Sequence, residues 1–242
     1  MDLLTLEDAG KVLGIGWNKA EDAFFFNPKH IVKAAEGFST TITKRQLLKV
    51  SSQIFDPFGF LSPFTLKLKL LFQRTWQCEL GWDQPVIKDI HAEWFTLMRT
   101  LPSVEVLRIP RWARWGPQQE LHTFCDASIQ AYGAVVYSRR VTEEGDIYIR
   151  LIASKTKLAP VKNKLTLPRL ELMGAVLGSR LSAYVIAALK PLQWKTYYWV
   201  DSQVALGWIR GDPFRWKEFV RNRVDSIRTL TKPEDWGYCP GE

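Results

Sequence analysis

The sequence has few cysteines and none of them close together. Cys78, Cys125 and Cys239 are an odd number, widely spaced along the chain. That excludes a metal knuckle with Cys-x-x-Cys spacing and a disulfide framework, and it suits a reducing compartment. No basic-then-apolar leader opens the chain. Long hydrophobic runs are missing too. The most apolar helical stretch, Leu170 to Leu189, contains Glu171 and Arg180 and ends at Lys190, which makes a poor membrane span. Internal repeats and low-complexity segments are also absent. These absences lead to the expectation of a soluble, intracellular protein, placed in the cytoplasm.

What is present is a chain of 242 residues, 46% apolar and 24% charged, enough for one large domain or two ordinary ones. The net charge of +8 is concentrated in one half. Residues 1–110 hold 13 Lys/Arg against 12 Asp/Glu, whereas residues 111–242 hold 20 against 13. Such an excess attracts polyanions, so nucleic acid is a candidate partner alongside the plainer reading of a solvated basic surface. Eleven tryptophans serve a core or a base-stacking surface, and core packing is the default.

The first forty residues read as short strands and turns. Val12 to Trp17 and Ala23 to Phe26 have strand composition, with Asn18 to Asp22 as the polar connection of a hairpin. Thr43 is a candidate N-cap for a helix carrying Leu47, Leu48, Val50 and Ile54, which ends at Asp56-Pro57-Phe58-Gly59. Ser62-Pro63 restarts a helix with Ser as cap, its body running from about Phe64 to Cys78, and a further helix covers roughly Val86 to Arg99. Pro102 to Gln119 reads as an irregular linker, with the boundary near residue 115. The expected organisation is therefore a smaller, mainly helical segment over 1–115 and a second domain over 116–242.

Past that boundary the hydrophobic period changes to two. Leu121 to Asp126, Ala131 to Ser138 and Asp146 to Ser154 form a meander of three strands, followed by a basic loop with Lys155, Lys157, Lys162 and Lys164. Leu167 to Lys190 makes a long helix, Trp194 to Val200 a fourth strand, and a short helix runs to Arg210. Phe214 to Thr229 reads as an amphipathic helix and Trp236 to Cys239 as the start of a last strand. The order implies an α/β fold, a mixed sheet with helices packed on it, the fourth strand parallel to the first.

Three acids fall at informative places. Asp126 ends the first strand of the meander, Asp201 ends the fourth strand, and Glu171 lies in the first turn of the long helix. Adjacent parallel strands would bring Asp126 and Asp201 to one sheet edge, and the helix could bring Glu171 to it. Three such carboxylates resist joint ionisation unless a cation is present. Hard divalent ions with oxygen ligands resolve that conflict, and two of them about 3.5–4 Å apart can support phosphodiester hydrolysis. Each acid also has a plainer role. Asp201 could cap the next helix, Glu171 could complement a helix dipole, and Asp126 could start an Asx-turn.

Several runs then carry a resemblance. Phe124-Cys125-Asp126-Ala127-Ser128 followed by Ala131-Tyr132-Gly133-Ala134-Val135-Val136-Tyr137 resembles the first hairpin of a retroelement ribonuclease H. Leu167-Pro168-Arg169-Leu170-Glu171-Leu172 and Val200-Asp201-Ser202-Gln203-Val204-Ala205-Leu206 resemble its second and third signatures. Ala153-Ser154-Lys155-Thr156-Lys157, with Ala159-Pro160, is similar to the Pao (BEL/Pao) retrotransposon family. So are Val12 to Asn18, Thr43-Lys44-Arg45, Ile54 to Pro63 and Leu80-Gly81-Trp82-Asp83, which look like the segment after that family's reverse transcriptase palm.

The resemblance implies a ribonuclease H-like fold preceded by a thumb-and-connection segment, with Asp126, Glu171 and Asp201 as catalytic, metal-binding carboxylates for two Mg²⁺ (or Mn²⁺) ions. It implies an endonuclease acting on the RNA of RNA–DNA hybrids, with an upstream palm in a full-length polyprotein. The alternative is a non-catalytic nucleic-acid-binding remnant. The charge of Lys155, Lys157, Lys162, Lys164 and Arg169 suits phosphate contacts, against the plainer reading of a solvated loop. The family also supplies a fourth acid after a Pro-Gly-Glu turn, whereas this chain stops at Pro240-Gly241-Glu242, and neither Asp225 nor Asp235 matches that position. The expectation is a C-terminally truncated domain with weak hydrolysis, better in Mn²⁺ than in Mg²⁺. The Asp-Thr/Ser-Gly loop of an aspartic protease is absent, as is the family's Tyr or Phe-Val-Asp-Asp polymerase signature. Without that acid pair the purified chain should not extend a primer. Extension above that of a chain with Asp126 and Asp201 replaced would contradict this.

Overall fold

The computed structural model describes residues 10–12, 15–38, 40–113, 116, 119–189 and 194–241. The chain divides into two compact units, Met1–Pro57 with Leu61–Trp112, and Phe58–Phe60 with Ala113–Glu242. Leu13 and Gly14 of the expected first strand, residue 115 at the expected boundary and Lys190 of the long helix lie outside the described residues.

The first unit opens on four short strands, β1 (Gly10–Val12), β2 (Ile15–Asn18), β3 (Ala23–Phe25) and β4 (Ile109–Pro110), paired antiparallel in that order. The β2–β3 hairpin falls where one was expected, but the expected first strand, Val12 to Trp17, is divided, with Val12 on β1 and Ile15 to Trp17 on the antiparallel β2, and Asn18 is a strand residue. Asn18 Oδ1 accepts from the backbone of Ala20 at 3.0 Å, and Asp22 turns the chain at φ 46°. The helices are α1 (Lys29–Glu36), α2 (Lys44–Ser51), α3 (Ser62–Gln77) and α4 (Lys88–Thr100). Thr43 does cap α2, in a reciprocal capping box with Gln46. Ile15, Phe24, Leu47, Leu71, Ile90 and Trp94 are among its buried side chains.

Three readings of this unit need correcting. α1 falls where only strands and turns were expected, because just Ile31 and Ala35 of its eight residues are buried and so short a stripe gives little periodic signal. Ser62 is the first helical residue of α3, not its cap. The cap position is Leu61, whose N–H donates to Asp56 Oδ2 at 2.7 Å. Pro102 to Gln119 is no plain linker, since it contributes to a 3-10 turn over Leu101–Val106 and to β4 and β5.

The second unit is a five-stranded mixed sheet of β5 (Gln119–Ala127), β6 (Ala131–Val141), β7 (Ile147–Leu158), β8 (Lys195–Val200) and β9 (Trp236–Tyr238), in the order β7-β6-β5-β8-β9. The meander pairs antiparallel, while β8 runs parallel to both β5 and β9. β7 is longer than expected, so Lys155 and Lys157 lie on a strand instead of in a loop. The helices are α5 (Leu167–Ala188), α6 (Gln203–Arg210) and α7 (Glu218–Arg228). α7 is shorter than the expected Phe214 to Thr229, because Asp212 caps a separate 3-10 turn over Pro213–Arg215.

α5 crosses the sheet as the core helix. It is long and apolar enough to span a membrane, yet 61% of its most apolar window is buried inside the unit. Leu170, Leu172, Ala175, Val176 and Val185 supply that contact, each larger side chain contributing roughly 1.5–3 kcal/mol. The helix can approach so closely because of two glycines one turn apart. A Cβ on Gly174 would lie 3.2 Å from Asp126 O, and one on Gly178 would lie 2.3 Å from Cys125 Sγ. Gly178→Ala should therefore destabilise the fold by about 1–3 kcal/mol through overpacking. Gly207→Ala on α6, where a Cβ meets nothing within 4 Å, should stabilise it by up to about 1 kcal/mol. Denaturant midpoints of the two variants check this, and equal shifts would contradict it.

Candidate metal centre

The site begins with strand register. Cys125 on β5 stands opposite Val200 on the parallel β8. The next residue of each chain segment is an aspartate, so Asp126, still paired with Gly133 of β6, and Asp201, just past β8, come together at the carboxyl end of this strand pair. Glu171 comes to them from α5, where Gly174, one turn further on, rests against the Asp126 backbone. One carboxylate oxygen from each of Asp126, Glu171 and Asp201 lies within 4.8 Å of the others. The three residues singled out in the sequence are thus brought together at one point.

The plainer roles do not account for them. α6 is capped by Ser202, whose Oγ accepts from Ala205 N at 3.2 Å, so Asp201 is not its cap. The turn after β5 is closed by Ser128, whose Oγ accepts from the backbone of Gln130 and Ala131 at 3.2 Å. Among the described residues, Asp126 accepts from the neighbouring Ala127 N–H alone, at 2.6 Å. Glu171 is the fifth residue of α5 and lies past its first turn, where the helix-dipole effect has already faded. Serines 128 and 202 and glycines 174 and 178 carry much of this geometry. Their spacing in the sequence is a signal, but only the packing shows its use.

Asp126 and Asp201 are exposed, while Glu171 is buried, 5% accessible. Burial, and then the charges of Asp201 and Asp126, push the Glu171 carboxyl up to about 8. Burial, and then Asp201, also raise Asp126. One Glu171 oxygen, Oε2, is buried with no hydrogen-bond partner among the described residues. An all-oxygen donor set, mutual repulsion and an unpartnered buried carboxylate oxygen fit a hard divalent cation.

The basic residues singled out from the sequence divide into two groups. Lys155, Lys157, Lys162 and Lys164 are exposed, the first two on one face of β7 and the others in the loop before α5. Arg169 is half-buried, its guanidinium 4.9 Å over the Phe219 ring, which also carries Arg223 at 3.9 Å. Packing against Phe219 is thus part of what Arg169 does.

The family model for the Pao retrotransposon-like RNaseH-like domain matches residues 43–202, a span that contains all three acids. No curated protein matches the chain. Among solved structures, a foamy viral protease-reverse transcriptase in complex with double-stranded DNA aligns with 97% of this chain at TM-score 0.58 and 10% identity. One in complex with RNA/DNA hybrid aligns with 97% at TM-score 0.57 and 13% identity. Likeness at such identities concerns the fold. This chain spans 38% and 29% of those two solved chains.

A raised carboxyl makes stability depend on pH. The folded chain holds a proton on Glu171 that the unfolded chain releases, so in chelator the fold should lose stability as pH rises from 4.5 through about 8. Glu171→Gln removes that dependence, and its melting temperature should gain on the parent between about pH 5 and about pH 9. Mg²⁺ should restore the parent at the alkaline end, and should do so less when Asp126 and Asp201 are both Asn. Parallel pH profiles of parent and Glu171→Gln would contradict this.

Proposed function

The chain belongs to the Pao retrotransposon-like RNaseH-like domain family, and from that premise we propose that its second unit is a divalent-metal-dependent endonuclease cutting the RNA strand of RNA–DNA hybrids. The observation that carries the reading is the meeting of Asp126, Glu171 and Asp201 at one sheet edge, with a buried Glu171 oxygen left unpartnered. These three side chains would hold Mg²⁺ or Mn²⁺. Two such ions, when bound, supply an activated water and charge stabilisation at the departing 3′ oxygen.

The chain's own groups prepare that chemistry. The β5–β8 register sets the spacing of the two aspartates, and the Ala127 N–H holds one oxygen of Asp126. The buried Glu171 anchors the inner side of the site. Exposed Lys155, Lys157, Lys162 and Lys164 would neutralise phosphates and give salt-sensitive, sequence-independent affinity, with Arg169 contributing from its seat on Phe219. Hybrid is the substrate to test first, because a foamy viral protease-reverse transcriptase of this fold has been solved with one. The first unit is read as the thumb-and-connection segment that follows a reverse transcriptase palm in a longer polyprotein.

The test is cleavage of a labelled RNA–DNA hybrid in a titration of Mg²⁺ and of Mn²⁺. Asp126→Asn and Asp201→Asn should each lower the rate by at least about a hundredfold with no loss of melting temperature. Binding of the hybrid without cleavage in either metal would replace this reading with that of a non-catalytic nucleic-acid-binding module.

A further inference from the structure

Each of the three acids has an exposed aliphatic side chain a few residues away. Ile129, 78% exposed, lies in the turn that follows Asp126. Val204, 50% exposed, lies in the first turn of α6, three residues after Asp201. Leu167, 45% exposed, opens α5 four residues before Glu171, and so shares its helix face one turn nearer the helix start. Val161, 38% exposed, belongs to the same mouth, because Ala159 N donates to Gln130 O at 2.8 Å and ties its loop to the turn holding Ile129.

A single exposed aliphatic residue needs no explanation. Three within four residues of the three carboxylates, and a fourth on a loop hydrogen-bonded to the same turn, are a different matter. Ile129 is held in a hydrogen-bonded turn, Leu167 and Val204 at helix starts, and Val161 in a loop tied down two residues away at Ala159. Ions and phosphates meet charges, and they gain nothing from a rim of methyl groups. The C–H faces of nucleic-acid sugars, which line a minor groove between the two phosphate rails, do gain from one. Lys157, Lys162 and Lys164 neighbour this rim in sequence and are exposed, so the charge beside it suits the phosphates on either side of such a groove.

We propose that Ile129, Val161, Leu167 and Val204 form an apolar rim that packs against the sugar edges of a nucleic-acid duplex and seats the scissile strand over the acids. The proposal rests on the nuclease reading above and adds the contact that would hold the strand. Apolar contact releases no counterions, so the rim contributes affinity that does not depend on salt, unlike that of the lysines.

The test measures hybrid affinity by fluorescence anisotropy in chelator, from about 50 to about 200 mM salt, together with KM and kcat for cleavage. Ile129→Ser with Val204→Ser should raise Kd and KM about three- to tenfold, leaving kcat, the salt slope and the melting temperature unchanged. Ile129→Leu with Val204→Ile should keep the parent affinity, because apolar surface is what matters. Lys155→Ala with Lys157→Ala should instead flatten the salt slope by about two. Unchanged Kd and KM in the Ser pair, against a parent that binds and cuts normally, would overturn the rim and leave the nuclease reading standing. A parent that neither binds nor cuts the hybrid would overturn both.

Discussion

Parallel pairing of β5 with β8 is the constraint from which the rest of the second unit follows. Their pairing ends at Cys125 opposite Val200, and the next residue on each side is an aspartate. A slip by one residue would turn one of the two to the other face of the sheet, since side chains alternate. Parallel strands need a crossover, and here it is α5, which must pack along the sheet for its whole length. The residue that completes the acid site rides on that crossover. Fold and site therefore share one set of contacts.

Closeness has a cost that the sequence meets in two ways. α5 lies against β5 and β6 at a distance that forbids a Cβ at Gly178 and crowds one at Gly174. The same approach buries Glu171 beside two other acids, raising its carboxyl to about 8 and leaving one oxygen without a partner. Folding alone would favour a smaller or apolar residue at that position. A group so unfavourable to the bare fold is best understood through what it would bind, as is usual where strongly shifted groups converge.

Much of this was legible in advance. The change of hydrophobic period after residue 119, the strand-end positions of Asp126 and Asp201 and the Pro168 start of α5 all point to the mixed sheet, and the acid-bearing runs point to the family. Other elements were not legible, for definite reasons. α1 buries only two side chains, so it leaves almost no periodic trace. β4 is two residues of a proline-containing stretch, and it is a strand only because β3 offers it an edge. Lys155 and Lys157 look like loop residues by charge, yet β6 pairs with them as strand residues. The cap of α3 went to a backbone N–H held by Asp56, five residues away, which local capping preferences do not anticipate.

The sequence by itself determined the order of strands and helices in the second unit, the fold class, the family and the choice of the three acids, because these depend on periodicity and on short local runs. Only the tertiary structure decided that Ser128 and Ser202 close the turns that the aspartates might have closed, so that both acids stay available. It also decided which acid is buried, that Arg169 lies on Phe219, and that Ile129, Val161, Leu167 and Val204 stay exposed. The physical reason is the range of the interactions. Turn chemistry and hydrophobic period act over a few residues. Burial, charge repulsion and the approach of a helix to a sheet act between residues far apart in the chain, 75 positions for Asp126 and Asp201, and exist only once the chain has closed on itself.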